Sequence, residues 1–321
     1  MTPTPAVSVI IATHDAAATI GTAIASARAQ SLADLEIIVV DDASRDATRA
    51  VVERCAAEDA RVQLVALDRN GGPGRARNAG LARARGEWAA VLDADDAFTP
   101  ERLERLVALA RRTGADMVAD NPVLEHPDHT ETLLPLDGAD PFTITAEAFI
   151  AANRGRRNGG RQLYGFLKPV IRRRVLERHG IAYHEIRLAE DYFLALECLI
   201  HGARWVVTRE PMYRYVVRDD SLTATFTPAH LDAMARVDRL ILGKPEVAAS
   251  PGLRAAVAGH LAAVARAATW TRFVQAVRAR DPRAALRVAL ADAGAARDVL
   301  LESVTACPRV LRRLAGAASR P

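Results

Sequence analysis

The sequence predicts an α/β fold, a doubly wound and mostly parallel sheet, followed by a helical C-terminal region. Three observations carry that prediction. Short apolar, β-branched runs recur at intervals; segments with apolar residues at helical spacing alternate with them; and from residue 227 onward Ala, Leu, Val and Arg fall in helical patterns interrupted by proline.

The first run, residues 7–12, and the second, residues 35–40, are apolar throughout or nearly so, as parallel strands buried on both faces are. Between them Ile20, Ile24 and Ala27 share one helical face. A helix is expected near 46–57, a strand near 62–67, a helix near 75–85 and a strand at 88–92. Thr99-Pro100-Glu101 has the composition of a helix start, with Thr as cap, Pro at the first position and Glu at the positive end. Residues 117–119 read as a further strand. From 120 to about 165 the chain is rich in Pro, Gly, His and Asp without periodicity, the character of a substrate-facing segment, and no elements are assigned there. Helical patterns after 227 are broken at Pro251, Pro282 and Pro308. The division expected is an α/β domain over 1–226 and a helical region over 227–321.

A chain of 321 residues, half of them apolar, can bury one large core with an appendage, which excludes disordered and fibrous classes. The formal charge is +4, yet residues 244–321 hold thirteen Lys/Arg against five Asp/Glu, leaving residues 1–243 at −4. Cys55, Cys198 and Cys307 are widely separated and read as reduced thiols of a cytosolic protein. The N-terminus lacks the pattern of an export signal, and no span reaches the roughly 18 apolar residues that cross a bilayer. The expected location is cytoplasmic, with peripheral contact at the inner face of the membrane as an option.

In a doubly wound sheet the ligand lies beyond the carboxyl ends of the strands. Three such ends are polar here: Thr13-His14-Asp15, Asp41-Asp42 and Asp93-Ala94-Asp95-Asp96. Each alone reads equally well as a turn or helix cap. Three carboxylates within four residues need a cation or hydrogen-bond donors between them, and oxygen-only ligands suit Mg2+ or Mn2+. The loop Asn70-Gly71-Gly72-Pro73-Gly74 can bring backbone amides to a phosphate, with Arg75 and Arg77 adding charge, although a tight turn explains it too. It has neither the ending of a nucleoside-triphosphate loop nor the spacing of a dinucleotide fingerprint. His184-Glu185 lacks a second zinc-site histidine, and the other histidines show no ligand spacing. Trp88 and Trp205, set in apolar runs, are expected in the core.

Val-Ser-Val-Ile-Ile at 7–11, Val-Val-Asp-Asp-Ala-Ser at 39–44, Asn70-Gly71-Gly72, Ala76-Arg77-Asn78-Ala79-Gly80, Leu-Asp-Ala-Asp-Asp at 92–96 and Glu190-Asp191 occur in ordered succession and together resemble glycosyltransferase family 2, with its GT-A fold, over about 1–225. Tyr164-Gly165-Phe166-Leu167-Lys168-Pro169, Glu190-Asp191-Tyr192 and Arg218-Asp219-Asp220-Ser221 resemble, more narrowly, bacterial glycosyltransferases of succinoglycan-type exopolysaccharide synthesis. The resemblance implies that Asp42 contacts the base or ribose of a uridine nucleotide, that Asp93 and Asp95 form the metal-linked pair with Asp96 sharing that role, and that Asp191 is the catalytic base. Thr13, His14, Gly72, Arg77 and Arg218 complete the expected donor-binding set, Arg218 near the diphosphate. The family commonly has Pro-x-Tyr-Asn after the first strand, where this chain has Ala12-Thr13-His14-Asp15.

The expected activity is an inverting transfer of a hexose, glucose first, from a UDP-sugar to a saccharide, with a lipid-linked oligosaccharide as the favoured acceptor. A nucleotidyltransferase would need a basic Gly-rich signature after the first strand, and residues 13–21 contain no Lys or Arg. A sugar-nucleotide-binding or assembly subunit without turnover would not need Asp191. No nucleic-acid partner is expected. The basic tail is open to a membrane surface, a solvated face or a homodimer contact.

Overall fold

The computed structural model describes residues 4–153, 164–218 and 227–291. In chain order the elements are β1 (Val7–Thr13), α1 (Ile20–Arg28), β2 (Leu35–Asp41), α2 (Thr48–Glu58), β3 (Val62–Ala66), α3 (Pro73–Arg83), β4 (Trp88–Val91), β5 (Ala97–Phe98), α4 (Arg102–Thr113), β6 (Met117–Ala119), β7 (Val123–Glu125), β8 (Thr130–Thr132), β9 (Phe142–Ile144), α5 (Ala146–Asn153), β10 (Val170–Arg172), α6 (Arg173–His179), α7 (Glu190–Ile200), β11 (Trp205–Val207), β12 (Tyr213–Val216), α8 (Pro228–Leu242), α9 (Pro245–Ala248), α10 (Pro251–Arg278) and α11 (Pro282–Ala289).

Eight strands form the main sheet in the order β3-β2-β1-β4-β10-β6-β11-β9. Its first half is parallel; β10 then runs antiparallel to both β4 and β6, and β9 antiparallel to β11, so the sheet is mixed. A smaller sheet, β5-β12-β7-β8, flanks it. Among the described residues of 120–165, which show no period in sequence, are three strands of three residues each, too short for alternation to register, and helix α5.

Alternation along β1 sorts the core. Val7, Val9 and Ile11 face the cluster that includes Ile24, Val52 and Leu106 from α1, α2 and α4, while Ile10 faces Ala76 of α3. Gly80 is where α3 meets β1: a Cβ there would stand 2.5 Å from Ile10 Cγ2. Trp88 and Trp205 are fully buried, each side chain of this kind contributing roughly 1.5–3 kcal/mol of burial. Helix α4 starts at Arg102, after a turn, and Thr99 supplies no side-chain cap; its carbonyl accepts from Gln30 Nε2 at 2.7 Å.

The C-terminal prolines open helices. Pro228, Pro251 and Pro282 sit at first helical positions behind the caps Thr227, Ser250 and Asp281. Helix α10 buries Leu253, Val257, His260 and Val264 in the cluster that holds Tyr192 and Phe193 of α7, so these helices extend the main core. Cys307 and Pro308 lie outside the described residues. Among the described residues no helix is long and apolar enough to cross a membrane.

Candidate active site

The strand ends expected to carry chemistry meet at one edge. Thr13 is registered with Asp41, and Ile10 with Val91, which sets residues 42 and 93 beyond the carboxyl ends of β2 and β4. Asp42 is buried; its amide donates to Thr13 O at 2.8 Å. Its carboxylate accepts the Gly71 amide (2.9 Å to Oδ1) and the Gly72 amide (2.7 Å to Oδ2). The glycine loop therefore spends two amides on Asp42 rather than presenting them to a phosphate, a correction to the sequence expectation. Gly72 has φ +87°, left-handed backbone that suits glycine, and is the N-cap of α3. His14 Nδ1 lies 2.9 Å from Asp42 O and leaves the ring partly open at the rim, whereas Thr13 is buried, its hydroxyl without a hydrogen-bond partner. Arg75 turns away to Asp68 and the carbonyl of Arg69.

One turn into α3, Arg77 is buried beneath three carboxylates. Its Nη2 donates to Asp93 Oδ1 at 2.7 Å, and its Nη1 to Asp191 Oδ1 at 2.9 Å and to Glu190 Oε1. Lys168 completes the lattice: Nζ lies 2.7 Å from both Asp93 Oδ2 and Asp191 Oδ2. Asp93 and Asp191, far apart in sequence, thus share the same two cations. Burial pushes the Asp93 carboxyl up, but Lys168 and Arg77 overcome this and hold it well below the usual range. Burial opposes the charge on Lys168, and Asp191 and Asp93 outweigh it, so the ammonium persists. Glu190 is raised by burial and by Asp191 against the pull of Arg77. Both acids occupy the first turn of α7, as the sequence reading has it for Asp191, at the positive helix end.

Lys168 is the functional candidate that sequence reasoning leaves unassigned, although its motif is noticed. It precedes β10, and because β10 is antiparallel, residues before it reach the edge that residues after β4 reach. Arg102, fully buried, fixes this arrangement: Nε donates to Asp120 Oδ1 at 2.9 Å and Nη2 to the Lys168 carbonyl at 2.6 Å.

Asp95 and Asp96 make a second group. The Tyr213 hydroxyl accepts the Asp93 amide (3.2 Å) and donates to Asp96 Oδ2 (2.8 Å); the Val216 amide donates to Asp96 Oδ1 (2.9 Å). Arg218 Nη1 stands 3.6 Å from Asp95 Oδ2 at the rim, and Asp219 to Ser221 lie outside the described residues. Burial, then the charges of Asp93 and Asp95, push the Asp96 carboxyl up to about 8; burial and Asp93 also raise Asp95. Tyr213, raised well above its ordinary value by burial and by the charges of Asp96 and Asp93, stays a neutral donor. Hydrogen-bond donors thus answer part of the repulsion expected of the cluster. What remains fits a divalent ion, because carboxyls held toward protonation by burial and mutual repulsion are those a bound cation would keep charged, and an oxygen-only set suits Mg2+ or Mn2+.

A mixed sheet flanked by helices, with acidic strand ends gathered at its carboxyl edge, defines the GT-A class of fold. Solved structures agree: the chain superimposes on S. aureus TarS in complex with UDP-GlcNAc with a TM-score of 0.62 at 19% identity, covering 88% of this chain and 90% of that one. It superimposes on the mannosyltransferase PcManGT from Pyrobaculum calidifontis in complex with GDP-Man and Mn2+ with a TM-score of 0.58 at 19% identity, covering 95% and 81%. Residues 8–175 match the Glycosyl transferase family 2 description, and the chain belongs to that family. It is 37% identical to the succinoglycan biosynthesis protein ExoO of Rhizobium meliloti, over 97% of this chain and 87% of the relative. To ExoU of the same organism it is 35% identical, over 79% and 74%.

Proposed function

We propose that this glycosyltransferase is an inverting, metal-dependent hexosyltransferase of exopolysaccharide synthesis, moving a hexose, glucose first, from a UDP-sugar to a hydroxyl of a lipid-linked saccharide. The observation that carries the reading is the lattice in which Asp93, beside the acidic group, and Asp191, on the facing helix, share Arg77 and Lys168. The names of the relatives, succinoglycan biosynthesis proteins, support the polysaccharide context.

In this reading Asp42, Thr13, His14 and Gly72 border the nucleotide, with the His14 ring in place of the family's tyrosine. Asp95 and Asp96 hold Mg2+ or Mn2+, which when bound would stabilise charge developing on a departing diphosphate. Arg218 assists at the rim. Asp191 accepts the proton of the attacking hydroxyl: each oxygen is held by one cation and keeps a lone pair for the acceptor. A single displacement from that side inverts the anomeric centre. Arg77 and Lys168 act by orientation, keeping the base aimed.

Helix α11 exposes Leu286, with Leu290 just beyond it, beside Arg283 and Arg287, the composition of a helix that rests on anionic headgroups and keeps the catalytic edge near a lipid-linked acceptor at the inner membrane face. Donor hydrolysis across a panel of nucleotide sugars with Mn2+ or Mg2+ tests the proposal. UDP-glucose should turn over fastest; no turnover with any uridine diphosphate sugar would refute the donor assignment.

A further inference from the structure

The tip of the β7–β8 hairpin gathers three side chains that the transfer reaction leaves unused. The turn reads His126-Pro127-Asp128-His129, with proline fixing its second position, and the His126 amide donates to His129 O at 2.9 Å. Strand register pairs Glu125 with Thr130 and Leu124 with Glu131, so the next rung sets His126 opposite His129. Side chains alternate along a strand, which puts Glu131 on the face of His129 and His126. The imidazoles lie parallel, 4.3 Å between centroids. His126 Nε2 is 3.4 Å from Glu131 Oε1, and one ligand atom from each of the three residues falls within 4.8 Å of the others. His126 Nε2 is also buried without a hydrogen-bond partner. At 3.4 Å the Glu131 carboxylate approaches that nitrogen without a well-formed hydrogen bond, so a stacked pair accounts for the rings but leaves Nε2 poorly satisfied.

We propose that His126, His129 and Glu131 bind a late first-row divalent cation, Zn2+ above all. Two imidazole nitrogens and a carboxylate oxygen form a three-ligand zinc set with a fourth position for water, and imidazole selects zinc over the Mg2+ or Mn2+ that suits Asp95 and Asp96. Ligands about 2.0–2.1 Å from a tetrahedral ion stand roughly 3.3 Å apart, near the 3.4 Å between His126 Nε2 and Glu131 Oε1; the His129 ring, stacked parallel to His126, would turn out of the stack to bring its nitrogen onto the same ion. Asp128 Oδ1, 2.8 Å from His129 Nδ1, supplies the carboxylate partner that a ligating histidine commonly keeps on its other nitrogen. The site is a clip at the flank of the donor edge: the Val217 amide donates to Glu125 O at 2.9 Å, and the next residue, Arg218, faces Asp95.

Calorimetric titration of the full chain with zinc chloride tests this. One ion should bind wild type with a Kd below about 10 μM, and Asp95→Ala should retain it. Binding should weaken by at least about tenfold in His129→Ala and in Glu131→Gln, whose melting in chelator should match wild type. Equal affinity across wild type and both hairpin variants, or loss in Asp95→Ala alone, overturns the proposal. Nitrogen-15 spectra of wild-type histidines give a reading that needs no variant: the His126 and His129 imidazole signals should move on zinc addition, and signals that stay in place overturn it as well.

Discussion

The carboxylates at the sheet edge fall into two regions that are neutralised in different ways. Asp93 and Asp191 each pair with both buried cations, Arg77 and Lys168, with Glu190 on Arg77 alone, and the two cations hold Asp93 well below the usual carboxylate range. Asp95 and Asp96 have a tyrosine hydroxyl, one amide and a rim arginine, too little to offset the burial and the Asp93 charge that push both carboxyls up. The contrast separates orientation from ion binding: the first region fixes where Asp191 sits whatever is bound, and the second favours its charged form only when a cation arrives.

Breaking the first region should have the largest effect. Arg77→Met leaves three acids around one ammonium, and removing one partner of a buried ion pair costs about 3–5 kcal/mol, so the midpoint of urea unfolding should fall sharply and activity with it. An unchanged midpoint would mean the lattice is not what holds α3 to α7. In the second region Asp95→Ala should lower turnover by about 1000-fold while thermal melting stays within a few degrees, and chelation of the wild type should do the same. Full activity of the wild type in chelator would refute the metal assignment. Asp191→Asn tests the seam between the regions. It keeps the size and one of the two acceptor oxygens but cannot take a proton, so turnover should drop by about 100-fold with donor affinity retained and the product inverted. Near-normal turnover would leave Asp191 a structural linker only.

The smallest effect sharpens the contrast through pH. The folded carboxyl of Asp96 is raised above its unfolded value, so the folded state binds the extra proton and this group's stabilisation is full below the ordinary Asp range and lost as pH climbs through about 8. Without metal, Asp96→Asn should therefore raise the melting midpoint by several degrees near pH 8 relative to wild type, with the difference shrinking on acidification and vanishing below about pH 4. A constant difference at both would show that Asp96 does not titrate in that window.

The parallel half of the sheet is legible in sequence because each strand there is an apolar run that stops at an acid, and two tryptophans mark the core. Strand β10 and its lysine are not, because Lys168 gains meaning only from the direction of the strand that follows it. Arg102 and Asp120 are equally silent, since a charged residue inside α4 reads as solvent-facing until its partner is known. The glycine loop misleads for a related reason: its amides look available for phosphate until Asp42 is seen to occupy them. His126 and His129 escape because helical and zinc-finger spacings are the wrong rulers for residues that meet across a hairpin rung. The position of Asp191 is more legible, since the apolar helical run after it puts it in the helix's first turn.

Arg102 acts as a fastener. Between Asp120, just after β6, and Lys168, just before β10, the chain forms the β7–β8 hairpin and adds β9 to the edge of the main sheet, and a single guanidinium grips both ends of that stretch. Closing a loop costs only about 0.6 kcal/mol more for each doubling of its length, and here the closure is made at the root. Leu134, Phe149 and Ile150 tie the middle of the stretch into the core, so it is the exposed turns between them that can be lengthened or rewritten with little change in where the lysine stands, and the fold keeps its charged lattice constant beneath a variable rim.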